Sequence, residues 1–212
     1  MKVTALAAVA AAALATSAQA QQAGDWIVHL GPALVDPDES ASLTAGGAPV
    51  PGGNVSVDAE WSVEGEVSYF LTPNFAISAA AGFPPEFTIK GAGSLAGVGT
   101  AGKMTGGPAG IFAQYHFNRA GRVSPYVGAG VAFLVVFSTE DAALTNVEAD
   151  SAVGTSLQAG ANIWLNDRWG AFVDVKKVFI ETESTGSLGG APVKADVTLD
   201  PLVTNFGVAW RF

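Results

Sequence analysis

The chain has 212 residues, enough for one domain of ordinary size, and is 49% hydrophobic but only 14% charged. Its net charge of −9 excludes the basic face that nucleic acid requires, and the absence of cysteine excludes a disulfide framework. Beyond the N-terminus no strongly apolar run reaches the roughly 18 residues of a membrane helix, so the apolar side chains have to be carried in alternation.

Residues 1–20 read as a cleavable secretory signal peptide. Lys2 is the positive n-region, Val3 to Thr16 the Ala- and Leu-rich h-region, and Ala18-Gln19-Ala20 the small-x-small cleavage site. The mature chain is then 21–212.

From Asp25 onward the pattern has a period of two, the signature of a strand with two different faces. Trp26, Val28, Leu30 and Leu34 form one face of a first strand. The segment from Val57 to Tyr69 is the clearest case: Val57, Ala59, Trp61, Val63, Val67 and Tyr69 alternate with Asp58, Glu60, Ser62, Glu64, Glu66 and Ser68. A third face is Phe75, Ile77, Ala79, Ala81 and Phe83, and a fourth is Ile111, Ala113, Tyr115 and Phe117, opposite Gln114 and His116. Val127, Ala129, Val131, Phe133 and Val135 give a fifth; Val153, Leu157, Ala159, Ala161 and Ile163 a sixth, opposite Ser156, Gln158 and Asn162. Trp169, Ala171, Val173 and Val175 give a seventh, opposite Asp174 and Lys176, and Phe206, Val208, Trp210 and Phe212 the last, opposite Asn205 and Arg211.

Eight strands is an even number, as bacterial single-chain barrels require, and the connections alternate in length. Short turns fall at 71–74, 118–124 and 166–168, and long Gly- and Asp-rich loops at 36–54, 84–107, 138–150 and 184–195. Trp26, Tyr69, Phe75, Tyr115, Phe117, Trp169 and Trp210 gather at the short-turn end, as an interfacial aromatic girdle does. Strict alternation turns Trp164 inward, against that pattern. Lipid leaves no backbone group unpaired, so the last strand has to close on the first. The expected fold is all-β: an eight-stranded antiparallel up-and-down transmembrane β-barrel in the outer membrane of a Gram-negative bacterium.

Several segments resemble the OmpW family of small outer-membrane barrels. They are Gly24-Asp25-Trp26 leading to Gly31-Pro32, Tyr69-Phe70-Leu71-Thr72-Pro73-Asn74, Gln114-Tyr115-His116-Phe117 and Pro125-Tyr126-Val127-Gly128-Ala129-Gly130. Asp150-Ser151 with Gly154, Leu157-Gln158-Ala159-Gly160, and the ending from Asp200-Pro201 through Gly207-Val208 to Arg211-Phe212 follow in order. The resemblance implies a barrel with a hydrophobic lumen that passes small hydrophobic compounds, by a lateral opening in its wall. This sequence departs from that picture on the inward face of its second strand, where Glu60, Glu64 and Glu66 make the lower lumen charged.

Three groups of residues are candidates for a role. His29, Glu64, Glu66, Asp174, Lys176 and Arg211 point inward from strands that become contiguous on closure. They form either a charge network that fills a narrow barrel, or a polar floor that diverts a hydrophobic ligand sideways. Phe83, Phe87, Ile89, Leu95 and Met104 form an apolar mouth, or a long loop packed on itself. Phe206, Val208, Trp210 and Phe212 resemble the C-terminal signal read by the barrel-assembly machinery, and are equally a lipid-facing last strand.

Other readings are weaker. Gly97-Val98-Gly99-Thr100-Ala101-Gly102 spells a dinucleotide fingerprint without the helix or the downstream acid that a Rossmann unit needs. Asp36, Asp38 and Glu39 read as a solvated loop rather than a cation site, which needs about six converging oxygens, and no nucleophile–His–acid set gathers at the outer rim. No catalytic, metal or cofactor residues are therefore expected. The expectation is a passive conduit for small hydrophobic molecules and not an enzyme; the alternative is a closed structural or surface-interaction barrel acting through its extracellular loops. Expected partners are outer-membrane lipid and lipopolysaccharide, the assembly machinery during biogenesis and a small hydrophobic ligand, for a monomer.

Overall fold

The computed structural model describes residues 21–118 and 120–212, so the signal expected at residues 1–20 lies outside the described residues. In chain order the strands are β1 (Trp26–Asp36), β2 (Ser40–Ala45), β3 (Ala48–Pro49), β4 (Gly53–Val57) and β5 (Glu60–Phe70). Then come β6 (Phe75–Gly82), β7 (Glu86–Gly93), a short 3-10 turn at Ala96–Val98, β8 (Thr100–His116), β9 (Val123–Asp141) and β10 (Thr145–Ala149). The last are β11 (Ala152–Trp164), β12 (Trp169–Phe179), β13 (Glu181–Leu188), β14 (Ala191–Thr198) and β15 (Leu202–Arg211).

Eight of these strands close an antiparallel barrel in the order β1, β5, β6, β8, β9, β11, β12, β15, with β15 back against β1. The period of two is what makes this wall: along β5, Ser62, Glu64, Glu66, Ser68 and Phe70 are buried while Trp61, Val63, Val67 and Tyr69 are exposed. The exposed face continues through Leu30, Ile77, Ile111, Val131, Leu157 and Val208, an apolar belt that water would not tolerate and lipid does. At the short-turn end the girdle is laid down by cross-strand pairs. Trp26 lies opposite Tyr69 with ring centroids 4.8 Å apart, and Trp169 opposite Trp210 at 5.6 Å.

The wall rises further than alternation predicts. β8 and β9 have 17 and 19 residues, against the about 9–11 that cross a bilayer. The four segments expected as long loops are largely strand: β13 and β14 pair as a hairpin, β14 pairs with β2, β2 with β3, and β10 with β13. Their faces mix Ser, Thr, Gly and charge, so the ladders form without a binary pattern. The expected single strand from Val57 to Tyr69 is also corrected. β4 ends at Val57 and pairs with β7, whereas β5 pairs with β1 and β6. Asp58, at the break, bonds the Lys90 ammonium of β7, and Glu39 accepts the Val57 N–H at 3.1 Å, so both ends of the break are tied outside the barrel ladder.

Candidate functional site: a floored lumen

At the short-turn end the lumen is sealed by side chains. Ile27, Phe70, Ala76, Trp164, Phe172 and Ala209 pack as one buried cluster. Trp164 does point inward, 2% exposed, and the Arg211 guanidinium stacks on its ring at 4.5 Å. Arg211 donates to the Asp167 carbonyl from Nε at 3.2 Å and Nη2 at 3.0 Å. Its expected place among the lumen carboxylates is therefore corrected. Alternation gave the face correctly, but Arg211 lies beyond Ala209 on β15, with the apolar cluster between it and the acids.

Above that seal lies a polar layer that spans the barrel. The Lys176 ammonium meets Glu64 Oε1 at 2.7 Å, Asp174 Oδ1 at 2.7 Å and Glu66 Oε2 at 3.4 Å. Gln114 Nε2 donates to Glu66 Oε1 at 2.6 Å and to Gln158 Oε1 at 2.9 Å, and Gln158 Nε2 donates to Glu66 Oε2 at 2.9 Å. Tyr126 O–H donates to Asp174 Oδ2 at 2.8 Å, and Asn205 Nδ2 to Glu64 Oε1 at 3.0 Å. His29 sits at the edge of the layer, with Nε2 2.7 Å from Asn162 Oδ1 and Nδ1 3.9 Å from Glu66 Oε1. Three buried carboxylates thus share one ammonium and a set of neutral donors, which is how buried charge is kept tolerable.

Missing side chains make this layer fit. Tyr126, Gly160 and Asp174 are in register on three neighbouring strands, and a Cβ on Gly160 would lie 2.5 Å from the Tyr126 ring. The phenol reaches Asp174 by passing over that glycine. Gly128 plays the same part between Gln114 and Gln158, where a Cβ would meet Gln158 Oε1 at 2.9 Å. Alternation places Gln114, Gln158 and Asn205 inward, but nothing in the sequence alone marks them as partners of the acids. Tyr126 joins them from β9, on the inward face that the outward Val127 implies.

On top of the polar layer the lumen is hollow: a cavity of about 190 Å³, with Glu64 and Lys176 as its charged lining and Val35, Phe112, Ala132, Val178 and Val203 among its apolar walls. Higher up it is lined by Phe87, Ile89, Leu95 and Met104, four of the five residues expected at an apolar mouth. Phe83 is the exception and is corrected: it is 74% exposed on the outer face. Its own alternation with Ala81 and Ala79 puts it there, and its N–H and carbonyl bond Val63 and Ser62 of β5 at 2.8 and 2.6 Å.

The wall beside the cavity has a break in its ladder. β6 pairs with β8 up to Ala81 opposite Ala109, and β7 resumes at Glu86 opposite Thr105. Between them Pro84, Pro85 and Pro108 have no N–H to give, and the bond from Gly106 N to Pro85 O is a long 3.3 Å. The cavity lining includes Pro108 together with Ala109 and Phe133, a cross-strand pair that by alternation belongs to the outward set. At the C-terminus, Phe206, Val208, Trp210 and Phe212 are all exposed on the lipid side of the last strand.

Comparison with known proteins agrees with this architecture. The chain is 33% identical to the dibenzothiophene metabolism operon protein PahQ of Pseudomonas aeruginosa, with 88% of both chains covered. It is 28% identical to the outer membrane protein AlkL of Ectopseudomonas oleovorans, over 89% of this chain and 83% of that one. The crystal structure of the outer membrane protein OprG of Pseudomonas aeruginosa superposes with a TM-score of 0.85 at 25% identity, covering 92% of this chain and 98% of the other. The AlkL structure in lipid bilayers gives 0.73 at 29% identity, covering 93% and 94%. AlkL and OprG are outer-membrane proteins of Gram-negative bacteria, and so is this protein. Residues 22–212 match the OmpW family, and the chain belongs to it.

Proposed function

We propose that the barrel is a passive conduit through which small hydrophobic molecules enter the outer membrane from outside. The single observation that carries this reading is the abrupt change of lumen character. An apolar cavity runs down from the outer end and stops on a layer of buried charge. A molecule that leaves water for that cavity gains the burial of its apolar surface. It gains nothing by going deeper, where the space is filled and every polar group would have to be disturbed. The route left to it is sideways, at the break beside Pro84, Pro85 and Pro108, where few hydrogen bonds hold the wall shut. The relative named for a dibenzothiophene metabolism operon supports an apolar, aromatic-sized cargo.

The test is uptake of a medium-chain alkane by cells lacking their own homologue, with and without this protein, at matched surface expression. The expected result is faster uptake with the protein. Making Phe87 or Leu95 charged, as Phe87→Asp or Leu95→Asp, should abolish the gain. No gain at full expression contradicts the conduit, and the extracellular hairpins would then carry the function.

A further inference from the structure

The floor of the cavity is chemically one-sided. The Lys176 ammonium sits among three carboxylates, donating to Glu64 Oε1 and Asp174 Oδ1 at 2.7 Å each with Glu66 Oε2 at 3.4 Å, so its charge is already taken up within the layer. Glu64, 2% exposed, takes Lys176 at 2.7 Å and Asn205 at 3.0 Å on its Oε1. Among the described residues no donor reaches its Oε2, and Glu64 lines the cavity. The ligand-facing end of the polar layer is therefore an acceptor with room for one more hydrogen bond. Three carboxylates against one ammonium also leave it with an excess of negative charge. A charged acceptor in an apolar surround binds a donor strongly and repels an anion.

We propose that this floor reads the polar end of the ligand: it takes an apolar chain that ends in a hydrogen-bond donor, a hydroxyl or an amine, and refuses one that ends in a carboxylate. The donor end bonds Glu64 Oε2 while the chain lies against Phe112, Val178 and Val203. A carboxylate meets an excess of negative charge there, because the one ammonium is already held among three acids. This inference rests on the conduit reading and narrows its cargo to neutral or cationic amphiphiles and plain hydrocarbons.

The experiment uses the full barrel in phosphatidylcholine nanodiscs carrying an environment-sensitive apolar fluorophore, displaced by 1-decanol, decane or decanoate at a pH where decanoate is ionised. Bilayer concentrations are matched by partitioning into protein-free discs. The expected result is displacement by decanol at a concentration about tenfold below that needed for decanoate, the factor one charge-assisted hydrogen bond supplies. Glu64→Gln, which replaces the anion with a neutral amide, should bring the two ligands together. Equal displacement by decanol and decanoate from the wild-type protein overturns the proposal, with no variant needed, and leaves the conduit standing. A preference that Glu64→Gln leaves unchanged also overturns it. A fluorophore that never enters the barrel, or that no ligand displaces, sinks the conduit reading and this inference with it.

Discussion

The two halves of the lumen are built on the same strands, yet the lower is filled and the upper is hollow. In the lower half, long inward side chains from one strand cross over glycines on the next: Tyr126 passes over Gly160, and Gln158 over Gly128. In the upper half many inward positions are short or slim, among them Ala33, Val35, Ala132, Val178 and Val203, and a cavity is left between them. An eight-stranded wall leaves an interior just wide enough for side chains to fill. Whether it does so is decided by the lengths of the inward residues at each level, not by the barrel. The filled half holds the buried charge network, and the hollow half is the space that the proposed conduit uses.

The comparison is broken most severely by removing the cation that balances the lower half. Lys176→Met leaves Glu64, Glu66 and Asp174 buried with no ammonium between them and should cost about 3–5 kcal/mol, read as a lower urea midpoint for the folded barrel in micelles. A filled cavity is the next largest effect. Met104→Glu places an unpaired charge among the apolar walls, and uptake of a hydrocarbon tracer should drop on the order of tenfold while heat-modifiable migration on gels persists. Gly160→Val tests the crossing of side chains: it drives Tyr126 off Asp174 and should destabilise by about 1–3 kcal/mol, without changing the specificity of uptake.

Smaller effects sharpen the boundary between inside and outside. Phe83→Ser alters a residue that faces away from the cavity, so uptake should stay at the wild-type rate in the same assay. Asp141, at the outer end of β9, accepts the backbone N–H groups of Val147 at 2.9 Å and Asn146 at 3.0 Å, and these bonds hold its carboxyl below the usual aspartate value. A depressed carboxyl contributes stability above its unfolded pKa and loses it as the pH falls through the folded one. Acidification through that range should therefore raise hydrogen exchange in the β9–β10 turn of the wild type, and Asp141→Asn should show the faster exchange already at neutral pH.

The barrel was legible in the sequence because lipid enforces contrast. Each wall strand keeps its charged and amide residues off the lipid-facing side, and the buried and exposed positions of β5, β11 and β12 alternate accordingly. The extramembrane sheet was not legible, because water bathes it and its strands need no contrast. β13 reads Glu181-Thr182-Glu183-Ser184-Thr185, as polar as any loop. Alternation also assigns a face without a depth. It turned Arg211 inward correctly, yet a whole apolar layer separates that residue from the acids it was grouped with. Phe83 was grouped by nearness to the loop, when its own alternation already placed it outside. The glycines that let Tyr126 and Gln158 cross the lumen became meaningful only once the strand register was known.

The account stands or falls on a sideways exit at the broken ladder between β6 and β8. Pro108→Ala gives that wall back one donor at the gap, with no change to the cavity's charge or to the polar floor. Uptake of an alkane tracer is measured in cells bearing this variant or the wild type at equal surface density. A closed wall predicts uptake that falls towards the rate of cells with no barrel, while the fluorophore still binds in the cavity. Uptake by Pro108→Ala as fast as by the wild type would contradict a lateral route at this gap.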